Sequence, residues 1–242
     1  MEKNVLLAGK EYPAGGTIAS VAMNHNRKVV ITAPFATEQN EEKVPAAEIN
    51  TVMWNKSSSI SSRSLVLQAE NEFRQIDEAI LIFDTSWFAP NFQSMTPELC
   101  TKAVDTMVSN YLYLSQELVS RFTKLKHGTI IYMLKTAAGF ADSLGSRGET
   151  LGTPAGILPK AAESMFEALA ESIAAKYATS EDFKILLFRG DSTAPDGSFA
   201  AWMFEYLDTL AANKGKPDIR HAAQWIKMGS KPPAGFSSLF RK

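Results

Sequence analysis

A glycine-rich turn near the start of the chain is the clearest candidate for binding chemistry. A short apolar run leads into Gly9, the turn ends at Gly15 and Gly16, and a helical pattern follows. In such a turn, backbone N–H groups and the helix N-terminus can receive a pyrophosphate, because glycine has no Cβ to block the approach. Glycine also serves ordinary strand-to-helix turns. The turn therefore leaves two interpretations open, a dinucleotide site and a plain connection.

Such a turn must be positioned by a sheet, and the apolar runs of the chain predict its strands. Each run is short and nearly all apolar, which is typical of parallel strands that are covered on both faces. The predicted strands span residues 4–8, 28–32, 50–54, 78–83, 128–134 and 183–188.

Apolar residues at helical spacing occupy the segments between and after these runs. The predicted helices span residues 17–24, 62–74, 96–124, 159–177, 199–212 and 217–228, and Thr96 with Pro97 is typical of a capped helix start. The alternation predicts an α/β fold, a Rossmann-like doubly wound parallel sheet of six or seven strands with helices on both faces. Residues 1–228 are expected to form a single domain, and residues 229–242 a C-terminal extension.

Composition narrows the possible partners. A net charge of -1 without a run of Lys or Arg argues against nucleic acid. Cys100 is the only cysteine, and His25, His127 and His221 are scattered, so no metal site is expected. No apolar segment approaches the roughly 18 residues of a membrane span, so a soluble, cytoplasmic protein without a membrane partner is expected.

The glycine turn resembles that of a known enzyme family. Laid without gaps on the pattern Gly-x-x-x-Gly-x-Gly of the short-chain dehydrogenases/reductases, Gly9 and Gly15 match the first and third glycines. Pro13 stands at the middle glycine, and Ile18 and Ala19 match the apolar pair that follows. The chain therefore resembles a divergent member of this family over residues 4–188, and the resemblance implies a Rossmann-like fold.

The resemblance also implies a nicotinamide cofactor, NAD or NADP. Ala33 and Pro34 stand where the family carries the residue that distinguishes the two, so the choice stays open. Asn55 stands where the family has an aspartate facing adenine, and Asp84 is expected near the nicotinamide ribose. The residues implied to bind the cofactor are Gly9, Tyr12, Gly15, Gly16, Asn55, Asp84, Thr85, Lys160 and Gly190.

The catalytic positions of the family are only partly retained. The segment from Gly156 to Lys160 resembles the family's Tyr-x-x-x-Lys motif, with Lys160 kept and Gly156 in place of the tyrosine. Lys135 falls at the site of the catalytic serine, or Thr136 does if the register shifts by one residue. Asn110 matches the asparagine of the long helix. Lys160, Asn110, Lys135 and Thr136 are therefore the candidate catalytic residues.

Two of these lysines have other interpretations. Lys160 near a helix start is also typical of a solvated surface lysine. Lys135 is most simply a charge at a strand end, although a lysine in a pocket can depress the pKa of a neighbour or form a Schiff base.

Two hypotheses follow for the function. One is an NAD(P)-dependent oxidoreductase for a small carbonyl or alcohol, in which Tyr132, Tyr12 or a bound water replaces the missing tyrosine as proton donor. The alternative is a catalytically inactive scaffold that binds a nucleotide or a protein partner. Both require that the turn from Gly9 to Ala19 and Lys160 face the same crevice.

The resemblance finally implies a homodimer or homotetramer. Members of the family commonly pair their long helices across a two-fold axis. Apolar side chains that would supply such a surface are Met107, Tyr111, Leu114, Met165, Leu169 and Ile173.

Overall fold

A seven-stranded parallel sheet forms the centre of the computed structural model, which describes residues 2–34, 49–138, 155–212 and 223–232. Its order is β3-β2-β1-β4-β5-β6-β7, so the direction of winding reverses between β1 and β4. The strands are β1 (Lys3–Ala8), β2 (Arg27–Pro34), β3 (Asn50–Trp54), β4 (Glu78–Asp84), β5 (Thr129–Thr136), β6 (Lys184–Asp191) and β7 (Trp225–Lys227). The predicted doubly wound fold is confirmed.

Helices connect these strands and cover both faces of the sheet. They are α1 (Gly16–Asn24), α2 (Ser59–Phe73), α3 (Thr85–Phe88), α4 (Pro97–Val104), α5 (Asn110–Leu125), α6 (Ile157–Lys176) and α7 (Asp196–Ala212). A 3-10 turn (Ala89–Asn91) follows α3, and a π-helical turn (Asp105–Ser109) joins α4 to α5. None of the helices within the described ranges has the length and apolar character needed to cross a membrane.

The strands read as continuous apolar runs because both faces of the sheet are buried. In β4 every residue is buried, and its side chains alternate between two cores. Leu81 packs with the core beneath α2, α5 and α6, whereas Ile80 packs with the core beneath α1 and α7. Each core residue loses its contact with water on folding, and this burial stabilises the sheet from both sides.

Three local features differ from the sequence prediction. The helix predicted over residues 217–228 is wrong where the structure describes it, since Trp225–Lys227 pairs in parallel with β6; three residues are too few to show a period. The helix predicted over 96–124 is interrupted by the π-helical turn. The short helix α3 was not predicted. The segment 139–154 and most of the C-terminal extension lie outside the described residues.

The turn after β1 is held tightly against β4. Gly9 has φ +109, and a Cβ added there would lie 2.1 Å from the carbonyl oxygen of Ile82 and 2.7 Å from the hydroxyl of Tyr111. Glycine is required at this position both by backbone conformation and by space. The Tyr12–Pro13 peptide bond of the same turn is cis.

Replacement of Gly9 by alanine should lower the free energy of unfolding by at least about 2 kcal/mol, because the Cβ is both strained and overlapping. Gly16→Ala is the matched control: its Cβ would meet the Tyr12 ring at an ordinary 3.4 Å, so its effect should stay within about 1 kcal/mol. Chemical denaturation of both variants measures the difference. Equal stability of the two variants would contradict this account of the turn.

Candidate functional site

Four charged residues meet where the strand order reverses. Lys10 follows β1, Asp84 ends β4, Lys135 lies near the end of β5 and Asp196 begins α7. Asp84 and Lys135 are directly paired in register between their strands. In open α/β sheets the ligand crevice lies outside the carboxyl ends of the strands at such a reversal. These residues, called the four-charge cluster below, therefore occupy the expected binding crevice.

Short ion pairs hold the cluster together. Lys10 Nζ lies 2.7 Å from Asp84 Oδ2 and 2.7 Å from Asp196 Oδ2. Lys135 Nζ lies 2.6 Å from Asp196 Oδ1 and 3.6 Å from Asp84 Oδ2. The side chains of Asp84 and Lys135 are 4% and 5% exposed, whereas that of Asp196 is 17% exposed. Asp196 is thus the member nearest to solvent.

The pKa values of Asp196 and Lys10 follow from this pairing. Burial alone would raise the pKa of Asp196, but hydrogen bonds from Lys10 and Lys135 outweigh it and hold the pKa below its ordinary value. Burial alone would lower the pKa of Lys10, but the hydrogen bonds to Asp196 and Asp84 keep it above its ordinary value. Both groups are therefore charged at neutral pH.

Asp84 also fixes the backbone beyond β4. Its Oδ1 accepts hydrogen bonds from the backbone N–H groups of Ser86 at 3.1 Å and Trp87 at 3.3 Å, which caps α3. The other oxygen, Oδ2, accepts from Lys10. Both oxygens of this carboxylate are thus committed to the fold.

Lys160 lies at the same edge of the sheet. Its Nζ donates to the carbonyl oxygen of Ala137 at 2.8 Å and to Glu163 Oε1 at 2.7 Å. Glu163 Oε2 accepts from the Thr85 hydroxyl at 2.6 Å, and Thr85 directly follows Asp84. Lys160 is therefore linked to the glycine turn through Glu163, Thr85, Asp84 and Lys10. That the two face one crevice, as both functional hypotheses require, stays a prediction.

A further buried ammonium, which no sequence motif marks, lies on the other side of the turn. Lys56 Nζ is 3.2 Å from Glu11 Oε2 and 3.4 Å from the carbonyl oxygen of Gly9. It also lies 5.0 Å from the ring centre of Trp87. Burial of the Lys56 ammonium lowers its pKa more than the neighbouring Glu11 carboxylate raises it.

The crevice is close to electrically neutral as a whole. Each of its lysines faces a carboxylate in the described residues, and the pairs involve Lys10, Lys56, Lys135 and Lys160 with Glu11, Asp84, Glu163 and Asp196. An anionic ligand must therefore compete with carboxylates of the protein. Within the described ranges, no three His, Cys, Asp or Glu side chains converge in a way that could hold a metal ion.

Several amides of the glycine turn already have partners within the protein. The N–H of Gly15 donates to the carbonyl oxygen of Glu11 at 2.9 Å, and that of Gly16 donates to Pro13 at 2.9 Å. Tyr12 N donates to the carbonyl oxygen of Thr32 at 2.9 Å. The N-terminus of α1 has no side-chain cap. It is this helix end, rather than the amides of the turn, that remains available to an anion.

The other sequence-predicted residues are engaged locally. Asn55 Oδ1 accepts from the backbone N–H and the hydroxyl of Ser57, at 3.1 and 2.8 Å. The Thr136 hydroxyl donates to the carbonyl oxygen of Gly190 at 3.4 Å. A Cβ at Gly190 would lie 3.0 Å from the Phe199 ring, so this glycine allows α7 to pack closely on β6.

Asn110 directly follows the π-helical turn, and its side chain bonds back to that turn. Its side-chain Nδ2 donates to the carbonyl oxygen of Thr106 at 2.8 Å, which satisfies a carbonyl that the widened turn leaves over. Asn110 Oδ1 is buried and has no hydrogen-bond partner among the described residues. The side chain therefore supports the helix at this point and retains one free acceptor.

No phenol occupies the position expected for proton transfer. A Cβ at Gly156 would lie 2.7 Å from the carbonyl oxygen of Phe92, so a tyrosine there requires a backbone shift. The proposed donor Tyr132 is fully buried, its hydroxyl donates to Ser115 Oγ at 2.8 Å, and burial raises its pKa. Tyr132 as proton donor is therefore wrong. The Tyr12 ring packs beside the start of α1, and Tyr12 as proton donor stays a prediction.

Most of the side chains predicted to form an oligomer surface lie within or against the protein core. Met107, Tyr111 and Leu114 are buried inside the protein, because these faces of the π-helical turn and α5 pack on the sheet. Leu169 and Ile173 are half-buried against the same core. Met165 is exposed.

Comparisons with known proteins find structures of similar fold but no family or curated protein of similar sequence. No protein-family model matches the chain, and no curated protein is significantly similar to it. A short-chain dehydrogenase from Mycobacterium smegmatis superimposes with a TM-score of 0.63 at 16% identity, covering 96% of this chain and 93% of that one. A short-chain dehydrogenase from Streptomyces avermitilis gives a TM-score of 0.62 at 14% identity, covering 95% of this chain and 89% of that one.

A further solved structure carries a nucleotide. ElxO with NADP bound superimposes with a TM-score of 0.60 at 14% identity, covering 94% of this chain and 97% of that one. The chain thus has the fold of the short-chain dehydrogenases/reductases over nearly its whole length, and the resemblance inferred from the glycine turn is confirmed at the level of the fold.

Replacement of Asp196 by asparagine should lower the free energy of unfolding by about 1–3 kcal/mol at neutral pH, because two buried ammonium groups lose a charged partner. The folded pKa of Asp196 is lowered, so its contribution is present above the unfolded pKa of about 3.9 and is lost as the pH falls through the folded value. The difference between wild type and Asp196→Asn should therefore be constant near neutrality and shrink below about pH 4. Denaturation curves across this range measure it; a difference that grows on acidification would contradict the pairing.

Proposed function

We propose that the protein is an NAD(P)-dependent oxidoreductase of the short-chain dehydrogenase/reductase family, acting on a small carbonyl or alcohol substrate. The observation that carries the proposal is the convergence of Lys10, Lys135 and Lys160 at the carboxyl ends of the strands, where this fold places its ligand. The NADP bound to ElxO, a protein of the same fold, supports a nicotinamide cofactor.

The residues present fit a dinucleotide in part. The open N-terminus of α1 offers amides and a partial positive charge to the diphosphate, and Lys160 stands at the family's ribose-binding position. Neither Ala33 nor Pro34 distinguishes NAD from NADP, and the proposal covers both. When bound, the nicotinamide supplies or accepts the hydride.

Lys160 is the proposed proton carrier in this chain. Gly156, one turn earlier at the start of α6, leaves no phenol there, whereas the Lys160 ammonium is one-third exposed and held by Glu163 and Ala137. Its Nζ holds a proton that it can pass to a carbonyl oxygen, directly or through a bound water. A positioned general acid typically contributes about 10²–10⁴ in rate. Lys135 faces Asp196 and Asp84 and takes no part in this transfer.

A second candidate is a scaffold that binds a nucleotide without turnover. The lack of room at Gly156 and the burial of Tyr132 favour it, because both positions exclude an accessible phenol. The two candidates agree on binding and differ on catalysis. Nucleotide titration tests what they share, and a rate measurement separates them.

Titration with NADH and NADPH, followed by calorimetry or tryptophan fluorescence, should give a Kd below about 1 mM for at least one nucleotide. Lys160→Met should weaken binding at least tenfold and abolish any reduction of a carbonyl panel monitored by cofactor absorbance. Lys176→Met is the matched control, since Lys176 lies exposed in the last turn of the same helix. Binding without turnover would favour the scaffold, and no binding at millimolar nucleotide would overturn both.

We further propose that the protein forms a homodimer or homotetramer through α4, α5 and α6. Their exposed apolar side chains include Val104, Leu112 and Met165, which a second copy would shield from water. Light scattering should give at least twice the protomer mass, and Leu112→Glu should reduce it. Ile60→Glu, at an exposed residue of α2, is the control expected to change nothing. A monomer mass for the wild type would contradict the proposal.

A further inference from the structure

Asp196 holds two lysines with one carboxylate. Its Oδ1 lies 2.6 Å from Lys135 Nζ, and its Oδ2 lies 2.7 Å from Lys10 Nζ. Lysine ammonium groups commonly bind phosphate oxygens in this way, as point charges with short charge-assisted hydrogen bonds. Asp196 thus occupies the position that an anionic group of a ligand would take between Lys10 and Lys135.

Two helices begin side by side at this point. Asp196 is the first residue of α7. The next residue, Gly197, lies against Thr17 in the first turn of α1, since a Cβ added to it would be 3.3 Å from Thr17 Cγ2. Each helix N-terminus carries a partial positive charge of roughly half an elementary unit. The two helix ends and the two lysines therefore concentrate positive charge on one small volume.

The two carboxylates of the cluster are not equally replaceable. Asp84 caps α3 through the amides of Ser86 and Trp87, so its removal would also disturb the backbone beyond β4. Asp196 makes its side-chain ion pairs within the described residues with the two lysines alone, and it is the most exposed member of the cluster. A ligand can therefore displace Asp196 at the cost of these two contacts.

Charge balance indicates what kind of anion would replace the Asp196 carboxylate. Without Asp196, the two lysines and Asp84 leave a net charge of one positive unit, and the two helix ends add roughly one more. The diphosphate of a dinucleotide carries two negative charges and would bring the sum close to zero. A single carboxylate leaves about one positive charge uncompensated.

We propose that Lys10 and Lys135 form a binding site for the diphosphate of a dinucleotide, and that Asp196 fills this site until the ligand displaces it. This inference rests on the proposed function, because it assigns the cofactor's diphosphate to these two residues. Asp196 then weakens binding by competing for the lysines.

Asp196→Asn tests the inference by removing the competing charge. Calorimetric titration should show NADPH and inorganic pyrophosphate each binding at least tenfold more tightly to this variant than to the wild type. Adding Lys135→Gln to Asp196→Asn should abolish the gain. Asp208→Asn is the matched control on the same helix: it removes the same charge from a residue that pairs with Arg27 and His25, and it should leave both affinities unchanged.

The outcomes separate this inference from the proposed function. If NADPH binds the wild type but Asp196→Asn binds it no more tightly, the displacement model is overturned and the cofactor proposal stands. If pyrophosphate gains affinity as expected but NADPH binds no variant, the anion site stands and the cofactor proposal fails. If neither probe binds any variant, both are overturned.

A measurement on the unaltered protein covers the case in which the variants do not fold. Hydrogen exchange with and without NADPH should show faster exchange in the first turn of α7, which then loses the ion pairs of Asp196 to Lys10 and Lys135, and slower exchange in the first turn of α1. Unchanged exchange in α7 at saturating NADPH would overturn the displacement model.

Discussion

The ion pair between Lys10 and Asp84 ties together the parts on which the candidate site depends. It joins the turn after β1 to the end of β4, the two strands between which the sheet reverses its winding. Through Oδ1 the same aspartate caps α3, and the adjacent Thr85 links to Glu163 and Lys160. A buried ion pair is costly unless all of its partners are present, so the crevice holds its shape only as a complete network.

This network changes the chemistry that the fold can support. The charges at this edge of the sheet are balanced within the protein, so in the proposed model a bound diphosphate replaces the Asp196 carboxylate rather than filling an empty positive site. The tyrosine of the family motif also has no counterpart here, because Gly156 lies against the backbone of Phe92 and Tyr132 is buried. Ion-paired lysines do lie at the carboxyl ends of the strands, and Lys160 is the most exposed of them and the candidate for proton transfer.

The sheet could be predicted from the sequence because burial on both faces leaves a local signature. The strand at residues 50–54 is found with its predicted bounds, and β4 extends the prediction by one residue. The edge strand β7 is too short for such a signal, and nothing in the sequence of the π-helical turn marks its extra residue. Tyr132 was misassigned because it lies four residues before the end of β5, where side chains project onto the faces of the sheet.

The site was less predictable than the fold. Lys160 was found through the spacing of a family motif, and its partner Glu163 was missed. Lys10 and Asp196 are separated by 186 positions, and their contact depends on where α7 begins, which no local pattern reveals. Ion pairs of this kind are properties of the assembled fold, so only the structure could bring these two residues together.

A crystal structure with bound NADPH would show directly whether Lys10 and Lys135 hold the diphosphate. We expect phosphate oxygens within about 3 Å of Lys10 Nζ and Lys135 Nζ, with Asp196 turned away and the pair between Lys10 and Asp84 intact. A nucleotide bound elsewhere, or bound at this edge with Asp196 still bridging both lysines, would contradict this expectation.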